Sequence, residues 1–133
     1  MSNAETARAF IDAFNRADLD EFAMTLHPEV ELHAGRGVRV GVDLARLWAK
    51  RTPGGVQQEI LVDEIREDGG RVLALVARVW WWDEVGYRDE PAGVEPMAWL
   101  FEFRDGLISR WRPFDHRDEA LAAFAAPDPS ELG

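Results

Sequence analysis

Apolar residues recur at helical spacing along the first third of the chain and alternate with polar ones along the second half, so the chain divides into helices followed by strands. Ala7, Phe10, Ile11 and Phe14 share one side of a helix predicted from about residue 3 to 16, with Ser2 and Glu5 at capping-box spacing. Asp18 and Glu21 repeat the cap for a short second helix carrying Leu19, Phe22 and Leu26, which Pro28 ends. A short strand over 30–34 comes next. Gly35, Gly37 and Gly41 then mark a loop before a third helix with Leu44, Leu47 and Trp48 on one side, and Pro53-Gly54-Gly55 closes that unit.

The period then changes to two. Strands are predicted over about 56–66 and 71–82, joined by a turn at Asp68-Gly69-Gly70, and over about 95–104 and 107–114, joined by Asp105-Gly106. Asp115, with Asp118 at capping-box spacing, opens a last helix carrying Ala120, Leu121 and Phe124, and Pro127 and Pro129 mark a tail expected to fray. Helices first, an antiparallel meander last and one closing helix make an α+β architecture, because local hairpins cannot supply the crossovers of a parallel sheet.

Composition narrows what such a domain can do. Residues 1–133 fit one domain, with an ordered core over about 5–125 and a tail over 126–133. A formal charge of -10 repels phosphate backbones and anionic lipid surfaces, so neither nucleic acid nor membrane is an expected partner. The absence of cysteine removes thiol chemistry and thiolate metal sites, and the three histidines, at 27, 33 and 116, lack ligand spacing, so no metal or cofactor is expected. The apolar stretch over 72–82 is interrupted by Arg78 and is far shorter than the ~20 residues of a membrane helix, which makes a soluble, cytoplasmic protein the expectation.

Two segments carry a family resemblance. Asp18-Leu19-Asp20-Glu21-Phe22 leading to His27-Pro28-Glu29-Val30-Glu31-Leu32-His33 looks like the opening of SnoaL-like proteins of the nuclear transport factor 2-like superfamily. Phe103-Arg104-Asp105-Gly106-Leu107-Ile108-Ser109-Arg110-Trp111, followed by Phe114-Asp115 and Glu119-Ala120-Leu121, looks like their final hairpin and closing helix. The resemblance runs over about 5–125 and implies a cone-shaped, cystatin-like fold. In it a curved, mixed sheet wraps around N-terminal helices, a pocket lies between them, and the sheet's other face often forms a dimer. Polyketide cyclases, a ketosteroid isomerase, a dehydratase and an epoxide hydrolase belong to such families, so the fold alone does not decide the activity.

Residue by residue, the resemblance departs from these enzymes. Limonene-epoxide hydrolases have an arginine that Arg78 matches, but Trp80 replaces its acidic partner, and Pro113 follows Trp111-Arg112 where that family has an aspartate. The base aspartate of ketosteroid isomerases falls at Ala34. The acidic residue of SnoaL-type cyclases is nearest to Asp115, displaced by one or two positions.

Glu31 and His33 point to one face of a strand about 6–7 Å apart, an adequate acid/base pair or simply a solvated strand face. Arg78 breaks an apolar strand and therefore reaches solvent, pairs with a carboxylate such as Glu31 or Glu102, or faces a wet pocket. Trp80, Trp111 and Phe14 are candidate apolar walls around it, although tryptophans also fill cores and interfaces. Arg36 and Arg39 sit in a glycine-containing loop that gives only a weak anion signal.

Three functions stay open: a pocket protein for a small, largely apolar organic molecule; a cofactor-free cyclase, isomerase or hydrolase using Glu31, His33 or Asp115; and an interaction dimer with a filled pocket. Both faces of the strand over 71–82 are apolar, and the predicted helices cover one, so a homodimer through the outer sheet face is expected.

Overall fold

The computed structural model describes residues 1–35, 37–50, 56–82 and 92–126. Its elements are α1 (Asn3–Arg16), α2 (Leu19–Met24), β1 (Leu26–Ala34), β2 (Gly37–Val40), α3 (Val42–Ala49), β3 (Val56–Asp68), β4 (Arg71–Trp82), β5 (Gly93–Arg104), β6 (Leu107–Phe114) and α4 (Arg117–Ala125). Arg36, the Pro53-Gly54-Gly55 stop and the prolines of the tail lie outside the described residues.

Local chemistry sets the helix boundaries. The Ser2 hydroxyl accepts from the Glu5 N–H at 3.1 Å while the Glu5 carboxylate accepts from the Ser2 N–H, and Asp18 accepts from the Glu21 N–H at 3.1 Å. The second helix is shorter than its apolar stripe suggests. The Thr25 hydroxyl donates to the Phe22 carbonyl at 2.7 Å, the Ile108 N–H bonds the Thr25 carbonyl, and Leu26 pairs with Ile108, so Leu26 opens β1 instead of closing α2. Residues 37–40, expected as loop, form the edge strand β2 against β1.

The six strands make one mixed, curved and unclosed sheet in the order β2-β1-β6-β5-β4-β3. Only β1 and β6 run parallel among these pairs; the others are antiparallel. Asp105 and Gly106 both take positive φ, 55° and 77°, as a two-residue hairpin turn requires. An extra residue at Asp63 bulges β3, so Val62 and Ile65 both face inward.

Packing divides along the sheet's two faces. On the concave side α1, α2 and α3 bury Phe10, Phe14 and Phe22 against Val72, Ala74, Val76, Trp99, Phe101 and Trp111. On the outer side α4 places Ala120, Leu121 and Phe124 over Leu73, Leu75, Ala98 and Leu100. The closing helix therefore covers part of the face expected to be left for a dimer. An arginine ties down each end of α4. Arg117 at its start donates to the carbonyls of Val76 at 2.8 Å and Met97 at 3.2 Å and pairs with Asp63, while Arg71 donates to the carbonyls of Ala123, Phe124 and Ala126 at its end. A cation at a helix C-terminus also complements the helix dipole.

The free edge of β3 is held by α1. The Asn15 side-chain amide donates to the Ile60 carbonyl and accepts from the Ile60 N–H, both at 2.8 Å, as a neighbouring strand would. Asn15→Ala is expected to cost about 1–3 kcal/mol, because it orphans two part-buried backbone groups. Asp12→Ala, which removes only an exposed ion pair with Arg16, is expected to cost less than about 1 kcal/mol. Urea unfolding of both variants checks this; equal losses would contradict the edge-holding role.

Candidate functional site

The site builds outward from β4. Val72, Ala74 and Val76 enter the concave core, so two-residue alternation carries Arg78 and Trp80 to the same face. Register then supplies their neighbours: Ile60 and Glu95 flank Arg78, Val62 and Met97 flank Val76, and Trp99 lies beside Ala74. The Arg78 side chain is 29% exposed, with Nε donating to Gln58 Oε1 at 2.6 Å and Nη1 to Glu95 Oε2 at 3.4 Å. Its carboxylate is therefore Glu95, not Glu31 or Glu102. Nη2 is left without a protein partner among the described residues.

Trp80 lies across the backbone of β5. A Cβ at Gly93 would stand 2.3 Å from Trp80 Nε1, so the ring occupies space that only a glycine at 93 leaves open.

Deeper in the cone the space is filled by aromatic rings. Trp48 stacks on Phe14 at 5.3 Å between centroids and meets Trp111 at 4.7 Å, and Trp111 stands edge-to-face with Trp99 at 5.1 Å. Phe10 touches Phe22, Trp99, Phe101 and Trp111. Trp99 and Trp111 are each 3% exposed, and their indole N–H groups have no hydrogen-bond acceptor among the described residues. Phe14 and Trp111 are thus core residues, Trp111 level with Val72 in register, while Arg78 and Trp80 stand six and eight residues farther along β4.

Glu31 and His33 share a face and touch, His33 Nε2 lying 3.3 Å from Glu31 Oε1, but that face is the outer one. Val30 and Leu32 between and beside them fill the concave core. The pair belongs to a charged ladder across three strands. Arg110 lies 4.0 Å from Glu31 and 3.2 Å from Glu102, and Arg112 lies 3.9 Å from Glu102. Glu31 and His33 therefore do not share a cavity with Arg78.

Asp115 is exposed, and no hydrogen bond joins it to Asp118; the cap position of α4 is His116, without a side-chain cap bond, so the expected capping box is absent. Arg39 lies half-buried on β2. Among the described residues no three His, Asp or Glu side chains gather as a metal site, and no helix is long and apolar enough to cross a membrane.

Sequence reasoning missed Gln58 and Glu95, and grouped Trp48 with the wrong neighbours. The stripe of α3 misleads: Leu44 and Leu47 are 46% and 61% exposed, while Ala45, Trp48 and Ala49 turn inward. Two small alanines let the helix approach closely enough for Trp48 to reach Phe14 and Trp111. Gln58 and Glu95 become neighbours of Arg78 only through strand register, which no local pattern reveals.

Residues 7–111 match the family model described as a SnoaL-like domain. No curated protein matches the chain significantly. An LEH-like epoxide hydrolase from M. tuberculosis superposes with a TM-score of 0.71 at 20% identity, over 90% of this chain and 82% of that one. A candidate polyketide cyclase from Silicibacter sp. TM1040 gives 0.68 at 21% identity, over 94% and 96%. An NTF2-like protein of unknown function from Burkholderia pseudomallei K96243 gives 0.68 at 23% identity, over 95% and 100%. At these identities the likeness shows the fold alone.

Gly93→Ala is expected to push the Trp80 ring off β5, costing about 1–3 kcal/mol by overpacking and changing the tryptophan emission. Denaturation followed by fluorescence checks it; unchanged stability and spectrum would contradict this placement of the ring.

Proposed function

The chain belongs to the SnoaL-like domain family, and from that fold and the geometry of its concave face we propose that it binds a small, largely apolar organic molecule. The observation that carries this reading is Arg78. A guanidinium on an otherwise apolar strand face is costly to hold there, and this one is fixed by Gln58 and Glu95 with Nη2 still available. It offers an oriented donor to a carboxylate or carbonyl oxygen, and Trp80 on the same strand face supplies a flat wall, whereas Phe14 and Trp111 belong to the packed core.

Relatives of similar fold include proteins described as an epoxide hydrolase and a candidate polyketide cyclase, so a cofactor-free cyclase, isomerase or hydrolase is the second reading. It is weaker because Glu31 and His33 face the other way and Asp115 stands outside. Chemistry at Arg78 would fall to Glu95, the carboxylate 3.4 Å away.

A second copy of the chain is the cover we propose for the remaining outer face. Beyond α4 this face carries Leu61, Ala77, Val79, Trp81, Val94 and Pro96 in adjoining register, with Leu61 45% and Val94 58% exposed. Copies with a charge of -10 repel one another, and this apolar strip, with Glu59 in register beside Val79 as its carboxylate, is where they can meet.

With 2-naphthoate as probe, the wild type is expected to show a saturable rise in Tm. Arg78→Gln should weaken binding about 10–100-fold, the loss of one charge-assisted hydrogen bond, and a Glu31→Gln/His33→Ala variant should bind as the wild type does. The reverse pattern would sink the concave site. Sedimentation should give twice the 15.0 kDa chain mass, and Val94→Asp should shift it to monomer; a wild-type monomer would remove the dimer.

A further inference from the structure

A cavity of about 380 Å³ that Arg78 does not line lies between the flank of α1 and the free edge of β3, bounded by Arg8, Ala9, Ile11, Asp12, Asn15, Ile60 and Val62. Its volume is within the range of small-ligand sites. Three features define what fits it.

The first is the edge itself. Because Ile60 turns both its N–H and its C=O to Asn15, alternation along an antiparallel strand turns the N–H and C=O of Val62 to the same free edge, about 7 Å farther along. The second is that this edge is one residue long. Asn15 already occupies Ile60 on one side, and on the other the bulge at Asp63 breaks the pairing. A strand cannot run through, so a ligand that pairs with Val62 must end there. The third is charge. Arg8 is exposed and makes no hydrogen bond or ion pair among the described residues, whereas the Asp12 carboxylate is held by Arg16 at 3.2 Å. Arg8, Asp12 and Asn15 follow one another along one flank of α1, and Arg8 lies about 10 Å from Asn15 along the axis, a little beyond Val62.

We infer that this groove is a second binding site, taking the carboxylate end of an N-acylated amino acid. The ligand's amide N–H donates to the Val62 carbonyl. Its carboxylate accepts from the Val62 N–H and from the Arg8 guanidinium, and its side chain lies against the apolar wall at Ile11. The arrangement repeats at Val62 what the Asn15 amide does at Ile60, with a terminal charge that Arg8 reads. A bare fatty acid leaves the Val62 carbonyl unused, and a free amino acid presents a charged ammonium in place of the neutral amide.

Amide NMR titration of the full chain with N-acetyl-leucine tests the site. The expected result is saturable shifts confined to residues 8–15 and 60–63, with N-acetyl-leucinamide binding about fivefold more weakly because the exposed ion pair is lost. Arg8→Ala should weaken the acid by a similar factor and abolish the discrimination between acid and amide. Arg78→Gln should change neither, which separates this site from the concave one. N-acetyl-glycyl-glycyl-leucine should bind no more tightly than N-acetyl-leucine, since Asn15 blocks the next pair. Shifts centred elsewhere, equal affinity for acid and amide in the wild type, an Arg8→Ala variant that binds normally, or tighter binding of the longer peptide would each overturn the assignment.

Discussion

The structure depends on one constraint: β4 is apolar on both faces and sits inside the sheet, so both faces of the sheet must be covered where it runs. Val72, Ala74 and Val76 draw the N-terminal helices onto one side, and Leu73 and Leu75 draw α4 onto the other. Burial at about 25 cal/mol per Å² drives both, but the two layers are fixed differently. The concave layer is held by ring-on-ring packing around Phe10 and Trp111, whereas α4 is short and is fastened by Arg117 to sheet carbonyls and by Arg71 at its own last turn. Where helix cover ends, toward Arg78 on one face and Leu61 on the other, lie the surfaces proposed for ligand and second copy.

The same alternation sorts the polar chemistry. Val30 and Leu32 of β1 and Trp111 of β6 enter the core, so their neighbours Glu31, His33, Arg110 and Arg112 are forced outward, where Glu102 joins them in a ladder of opposite charges. On β4 the parity runs the other way for Arg78, which is left facing the cone beside Glu95 and Gln58. A one-residue change of register would exchange these sets, so the position of each charged group follows from the apolar pattern around it.

Much of this was legible in the sequence. Capping residues at Ser2 and Asp18, the Asp105-Gly106 turn and the period-two run over β4 and β6 mark their elements directly, and the family resemblance at Asp18–Phe22 and Phe103–Trp111 agrees with the match over residues 7–111. What could not be read depends on long-range pairing. Leu26 satisfies a helical stripe but joins a strand because Ile108, far along the chain, pairs with it. Leu44 and Leu47 satisfy another stripe but face solvent, because close approach of α3 favours its alanines. The site suffered most from this: that Glu31 and His33 share a face was readable, but which face was not, and Glu95 is a neighbour of Arg78 only by β4–β5 register.

The central claim is that a ligand belongs on the concave face at Arg78 and not at the Glu31–His33 pair. A crystal structure with 2-naphthoate bound tests it most directly. The account predicts the carboxylate within hydrogen-bond distance of the Arg78 guanidinium and the rings against Trp80, with Glu31 and His33 untouched. A naphthoate seated on the outer ladder beside His33, with the concave face unoccupied, would contradict it.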